Sequence, residues 1–304
     1  MNVSVLRSAV LLIAGAMAAF PDDLEDAFQR LKEAESKKDA AQVKKLAAEA
    51  YALARQEISR PAPTSAEEKE AWTKRVGFAR DVQTYAEYAL FATAVQAPPA
   101  TAVELFSALE EHNPKSKYLD QGYAHYFLAL NRSGGSAKIV GIAEKAIANL
   151  PDNEGLLAVV ADAALNRKQN DRAGNYAERL LTVLNQRQKP EGMSEADWQR
   201  KRSTMLGRGY WIAGVAHHEK NELIEADKDL RAALPLIKGN NAMMQAALFR
   251  LGLVNYQLGR AMLNRARVME AAKFSDEAAK LPGPYAQDAW RNAGVMRTEA
   301  ARMR

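Results

Sequence analysis

Apolar residues recur along the chain with a fixed spacing: one residue, the fourth after it, and the third after that. The members of such a triplet lie on one stripe of an α-helix, so each triplet marks a buried face. The triplets return roughly every 34 residues, and their small members favour close approach of a neighbouring helix. The pattern therefore predicts stacked pairs of helices. The triplets are Ala102, Phe106 and Leu109; Ile139, Ala143 and Ala146; Ala173, Ala177 and Leu180; and Ala226, Leu230 and Ala233.

Residues 22–304 favour helix almost throughout, because alanine, leucine and charged residues are abundant while glycine (17) and proline (11) are sparse. The alternation of apolar and polar residues that is typical of strands is not sustained anywhere. Proline and glycine mark the interruptions, at 60–64, at 98–99 and in a loop at 186–197. We therefore predict an all-α protein.

The N-terminus has the pattern of a secretory signal. Arg7 is the only charged residue before Asp22, and the apolar run 9–19 is well short of the ~20 residues that a spanning helix needs. Small residues at 16–18 offer a cleavage site. We expect residues 1–18 to be a signal peptide and the protein to be exported, to a periplasmic or extracellular space. An uncleaved membrane anchor is the alternative.

The remaining chain divides by its interruptions into three predicted parts. Residues 19–60 are expected to form a helical hairpin, residues 61–283 a series of helical repeats with an insertion near 186–197, and residues 284–304 a terminal capping helix. In the later repeats the pattern predicts four helices. Their expected ranges are 198–220, 223–237, 242–258 and 261–280.

The spacing of large and small residues in the last repeats resembles a known family. Leu248, Leu251-Gly252 and Tyr256 have the order of a large residue, Leu-Gly and an aromatic; Gly214 follows Tyr210 or Trp211 in the repeat before. Over roughly residues 80–280 the chain is similar to tetratricopeptide-repeat (TPR) proteins. The resemblance implies a superhelix of antiparallel helix pairs. Its first helices would line a concave groove that binds a protein or peptide segment. Another α-solenoid or a helical bundle is the alternative.

From the repeat register, we expect a set of side chains to face the concave groove. Aromatic residues and arginine dominate binding energy at interfaces, although aromatic residues at helical spacing are also typical of a core. The lysine and asparagine set with which some TPR proteins hold a terminal carboxylate is missing at the matching positions. The candidate groove residues are Tyr88, Phe91, Tyr118, Gln121, His125, Asp162, Asn166, Arg208, Trp211, His218, Phe249, Arg250 and Tyr256.

Motifs for catalysis are not found. His217 and His218 are adjacent, so on a helix their rings point about 100° apart and do not easily share a metal ion. The turn at 133–136 lacks the spacing of a phosphate-binding loop, and the chain has no cysteine. We therefore predict no catalytic, metal-binding or cofactor-binding residue and a protein that is not an enzyme.

The charge is mildly basic, with a formal net charge of +5 and a sequence pI near 9.2. The densest basic run, 200–202, lies on a predicted helix without interleaved aromatic residues, which favours a solvated helix face over a nucleic-acid site. A nucleic-acid partner is not expected. A membrane contact is expected only if the N-terminal apolar segment is retained.

Taken together, the patterns predict an exported scaffold that binds a protein or peptide segment and needs no cofactor. Two other functions stay open. One is an enzyme, or its helical accessory domain, that acts on a cell-envelope polymer. The other is a membrane-tethered assembly factor.

Overall fold

The computed structural model describes residues 23–190 and 192–303, and in this part of the chain every regular element is helical. The predicted signal peptide lies outside the described residues. A 3₁₀ turn, Ser136–Lys138, precedes α6. The α-helices are α1 Asp23–Ser36, α2 Ala40–Ser59, α3 Ala66–Ala94, α4 Pro99–His112, α5 Lys117–Arg132, α6 Ile139–Ala146, α7 Glu154–Asn166, α8 Asn170–Gln186, α9 Glu195–Glu219, α10 Leu223–Ala233, α11 Asn241–Ala261, α12 Arg265–Lys280 and α13 Ala286–Arg302.

The helices belong to two compact units, divided between Leu150 and Pro151. In the first unit each helix from α1 to α5 packs on the next, and in the second unit the same holds from α7 to α13. Packing between neighbours in sequence is the arrangement of an α-solenoid. The all-α, solenoid-like fold is thus confirmed. We call the odd-numbered helices the first-type helices and the even-numbered ones the second-type helices.

Small residues hold the helices of a pair close together. All members of the apolar triplets are buried except Ile139, which is half-buried. Gly214 in α9 lies so near α10 that an added Cβ would be 2.7 Å from Cγ of Leu230. Real Cβ atoms do not approach other atoms this closely, so glycine is required for the observed contact between these helices.

The turn from a first-type to a second-type helix repeats along the chain. In four pairs it contains a residue other than glycine with φ between 52° and 62°, in the left-handed region. Asparagine is one of the few residues other than glycine that adopt this conformation readily; the other three are two lysines and a leucine. The residues are Lys38, Lys168, Asn221 and Leu263.

Several helices begin or end at residues other than those expected, and in two of them a capping side chain is the reason. Ser194 accepts a hydrogen bond from the Asp197 N–H at 3.1 Å, so α9 begins at Glu195 and the expected start at 198 is wrong. Asn264 caps α12 in the same way, which moves its start from 261 to 265. The expected end of α10 at 237 is also wrong. It ends at Ala233, because Pro235 has no N–H to donate to the carbonyl of Arg231; Leu234 itself keeps helical dihedral angles (φ −49°, ψ −50°).

The insertion after α8 is fastened by a buried carboxylate at the start of α7. Glu154 pairs with Arg187 from the insertion and with Lys201 of α9, whose Nζ is 2.7 Å from its Oε1. Burial by itself raises the pKa of Glu154, but Lys201 and Arg187 lower it, and the net shift of the pKa is downward. The carboxylate therefore stays ionised and keeps both ends of the insertion in place.

Replacing Gly214 tests whether close packing determines this fold. Gly214→Ala should lower the free energy of unfolding by about 1–3 kcal/mol, because the added methyl group overlaps Leu230. The matched control is Gly77→Ala in α3, where no atom lies within 4 Å of the added Cβ. There the better helix propensity of alanine should stabilise the protein by up to about 1 kcal/mol. Denaturant unfolding of both variants, followed by circular dichroism, gives the comparison. Equal effects of the two substitutions would contradict the packing account.

Candidate functional site

The first-type helices of the second unit lie side by side. Each contacts the next first-type helix, α7 with α9, α9 with α11 and α11 with α13, in addition to the second-type helix between them. Among the described residues, the backbones of α8, α10 and α12 do not approach one another in this way, although side chains of α10 and α12 are hydrogen-bonded. Because successive first-type helices are closer together, their layer is the inner side of this stack. We call it the first-helix face.

One side of α9 supplies the centre of the first-helix face. Arg208, Trp211 and His218 lie within about 80° of one another around this helix, given its 100° per residue. Trp211 is half-buried and packs against two apolar clusters, one that reaches α7 and one that reaches α11. The indole ring therefore lies where three first-type helices meet.

Asp162 of α7 and Arg208 of α9 form an ion pair at one end of this face. Burial raises the pKa of Asp162, while the charge of Arg208 and its hydrogen bond oppose the shift. The Arg208 side chain remains about half exposed (48%), so its guanidinium is accessible to a partner. The Arg208 guanidinium is thus held in place by the Asp162 carboxylate and can still contact a partner.

His218 and Arg250 lie together at the other end, on α9 and α11. Their side chains are 18% and 16% exposed, and both are near Glu219: Nη2 of Arg250 is 3.4 Å from its Oε1, and Nδ1 of His218 is 3.8 Å from it. Burial lowers the pKa of His218, and the positive charge of Arg250 lowers it further; Glu219 acts in the opposite direction. His218 is therefore neutral at pH 7.

Aromatic residues fix the position of Arg250. Its guanidinium carbon lies 5.8 Å from the ring centre of Tyr285, the residue that precedes α13. Tyr285 in turn stacks on Phe249, with ring centres 4.7 Å apart and planes at 16°. The hydroxyl of Tyr256 donates to Glu299 of α13. Phe249 and Tyr256 thus connect α11 to the following segment rather than projecting freely from the face.

Three polar atoms of the first-helix face are buried without a hydrogen-bond partner among the described residues: Nε1 of Trp211, Nδ1 of His218 and Nε of Arg250. Two of them are obligatory N–H donors, and the imidazole nitrogen can donate or accept. An unpaired buried polar group costs about 1–3 kcal/mol. A concentration of such groups on one surface is therefore expected where a ligand supplies the missing partners.

The second-type helices behave differently. Asp227, Arg231, Asn255 and Arg267 form a network between α10, α11 and α12, in which Arg231 Nη2 and Arg267 Nε donate to Asn255 Oδ1 at 3.1 and 2.9 Å. The amide of Asn255 donates to Asp227 at 2.6 Å, and Arg267 Nη2 donates to the same carboxylate at 2.9 Å. These donors find acceptors within the chain, as in a structural network.

His217 belongs to this outer side too. Its ring points away from His218, as expected for adjacent helical residues. Nδ1 is 3.0 Å from Oδ2 of Asp229 in α10 but without hydrogen-bond geometry, so this nitrogen too is buried without a partner among the described residues. Nε2 is 3.3 Å from Glu178 in α8. In the part of the chain that the structure describes, no three histidine, aspartate or glutamate side chains are grouped so that they could hold a metal ion.

The candidate groove residues of the first unit do not share one environment. Tyr118 is 9% exposed and contacts the rings of Tyr88 and Phe91 at 5.8 and 5.9 Å, so it belongs to an aromatic core and not to an open groove. Gln121 and His125 are exposed on α5. An aromatic residue at helical spacing can belong to a core or line a groove. Because Tyr118 packs against α3, it belongs to the core.

The sequence interpretation placed Asp162, Arg208, Trp211, His218 and Arg250 on one surface, and the structure brings them to the first-helix face. Asn166 is exposed at the end of α7. The interpretation missed two contributors. The sequence could have indicated Glu219, because it is four residues after Val215, on the same side of α9, and is adjacent to His218. Tyr285 had none, because it lies outside the repeat spacing and reaches Arg250 only through tertiary packing.

No protein-family model matches this chain, and no curated protein matches it. Within the described residues, none of the helices is both long enough and apolar enough to cross a membrane.

The environment of His218 can be measured directly. By NMR titration we expect its pKa to lie below the usual value of about 6.5. Because the folded state disfavours protonation, the stability that neutral His218 contributes is present above the unfolded pKa and is lost as the pH falls below it. Arg250→Gln should raise the pKa of His218, since it removes a neighbouring positive charge. Arg260→Gln, on the same helix but paired with Glu299, should leave it unchanged. An unaltered pKa in Arg250→Gln would contradict the contact.

Proposed function

We propose that the protein is a non-enzymatic scaffold, similar to TPR proteins, that binds a protein or peptide segment along the first-helix face. The observation that carries the proposal is the row Arg208, Trp211, His218 and Arg250, in which three buried polar atoms have no partner in the described chain. Tryptophan and arginine are the residue types most enriched at binding hot spots.

The chemistry of the row points to the kind of segment bound. The N–H groups of Trp211 and Arg250 are hydrogen-bond donors without an acceptor among the described residues. An extended peptide presents a carbonyl acceptor at every residue. Glu219 and Asp162 each already neutralise part of the arginine charge, so the face does not demand a strongly acidic ligand. A segment with backbone carbonyls and one apolar side chain for the Trp211 surface fits best.

Truncation of the row tests this function. A partner is first isolated by cross-linking and pull-down of the mature protein from its own cell envelope. Calorimetry should then show that Trp211→Ala and Arg250→Ala each weaken binding by roughly 2 kcal/mol, about 30-fold in Kd, the scale of a hot spot.

The matched control is Lys228→Ala. Lys228 is exposed on the second-type helix α10 of the same unit, so its truncation should change Kd by less than about twofold. Circular dichroism should show unchanged helix content in all three variants. If Lys228→Ala weakens binding as much as Trp211→Ala does, the first-helix face is not the binding surface.

The proposal includes export, which the N-terminal pattern supports. Intact-mass measurement of protein from the extracytoplasmic fraction should show the loss of about the first 18 residues, as expected after signal cleavage. Full-length protein in the membrane fraction would support the tethered alternative instead. Full-length protein in the cytosol would contradict export.

A further inference from the structure

A glutamine interrupts the apolar first half of α11. Residues 242–249 read AMMQAALF, and Gln245 is the polar member of this run. It is fully buried, where an unpaired amide would be costly because water cannot supply the missing hydrogen bonds. A buried glutamine is therefore expected to have partners within the protein, and those partners indicate its role.

The partners of Gln245 are backbone groups around the connection between α12 and α13, residues 281–285. Its Nε2 donates to the carbonyl oxygen of Leu281 at 2.6 Å and to that of Ala278, in the last turn of α12, at 3.4 Å. Its Oε1 accepts from the N–H of Tyr285 at 3.5 Å. One side chain of α11 thus binds both ends of the connection.

The sequence of the connection explains why a side chain is needed to hold it. Pro282 and Pro284 have no N–H to donate. Between them, Gly283 has a φ of 151°, which residues with a side chain rarely adopt. A Cβ added at Gly283 would be 2.1 Å from Oε1 of Gln245, so the glycine lets the connection lie directly against the amide.

The same connection carries the aromatic ring that holds Arg250. Tyr285 stacks on Phe249, which is four residues after Gln245 and therefore on the same side of α11. Arg250 follows Phe249, and its guanidinium carbon is 5.8 Å from the centre of the Tyr285 ring. Because this ring lies over the guanidinium, fixing the connection also fixes a residue of the first-helix face.

We propose that Gln245 is a positioning residue of the first-helix face: it fastens the connection to α11, and Tyr285 then keeps Arg250 beside His218. The inference rests on the proposed segment binding, because it assigns a support to a residue of that site. It also deepens it, since a buried side chain that is not itself on the face sets the position of a binding arginine. A change at Gln245 is therefore expected to reach His218 through Arg250.

NMR titration of His218 reports the position of Arg250 without a bound partner. Burial and the nearby charge of Arg250 both lower the pKa of His218. Gln245→Met keeps the side-chain length but removes the hydrogen bonds, so it should release the connection, let water screen Arg250 and raise this pKa. Ser275→Ala is the matched control. Ser275 is also a fully buried polar residue of this unit, but its hydroxyl contacts Sδ of Met296 at 3.5 Å, and its loss should leave the pKa unchanged.

Two further variants separate positioning from a general loss of stability. Gly283→Ala leaves Gln245 intact but pushes the connection away from it, so it should also raise the pKa of His218. The double variant Gln245→Met/Arg250→Gln should have the same His218 pKa as Arg250→Gln alone, because Gln245 acts through this arginine. Circular dichroism verifies that the helices remain.

The outcomes of the titrations are distinct. A folded Gln245→Met variant with the wild-type His218 pKa overturns the proposal, and so does a double variant whose pKa exceeds that of Arg250→Gln. If Gln245→Met does not fold, Gly283→Ala decides in its place. An Arg250→Gln variant without a raised pKa overturns the proposal as well, since Arg250 would then not lie beside His218.

Binding measurements distinguish this proposal from the proposed function. With the partner isolated by cross-linking and pull-down as the probe, Gln245→Met should raise Kd by roughly tenfold, a part of the effect of Arg250→Ala. If Arg250→Ala leaves Kd unchanged while the pKa of His218 follows Gln245, the positioning is correct and the first-helix face does not bind this partner. If Arg250→Ala weakens binding and a folded Gln245→Met variant does not, the proposed function stands and the positioning is wrong.

Discussion

Close approach of neighbouring helices through small residues is the constraint on which this protein depends. Gly214 admits Leu230, and Gly252 admits Ser275, at distances that a Cβ would not permit. Fully buried alanines, such as Ala226 and Ala233, do the same on the second-type helices. Because a pair cannot bury its apolar stripe alone, each helix needs the next, and the first-type helices of the second unit are thereby brought into mutual contact.

This packing also determines the electrostatics of the first-helix face. Side chains that would be solvated on an isolated helix are held between neighbours, so burial opposes the charged forms of His218 and Asp162. On the outer side, Asn255 and its charged neighbours satisfy one another within the chain. The two sides of one stack therefore differ in chemistry: the outer network stabilises the fold, and three of the four buried nitrogen atoms without a partner among the described residues lie in the inner row, where they suit a bound segment.

The sequence by itself determined the helical fold and the buried triplets, because the 3.6-residue period is a local property. It also indicated which side of α9 carries Trp211 and His218. Tertiary structure alone decided that Tyr118 belongs to a core, that Arg208 pairs with Asp162 46 residues away, and that Tyr285 supports Arg250. Periodicity fixes the direction of a side chain around its own helix. It does not specify what lies across from it, since that depends on how closely the small residues let the next helix approach.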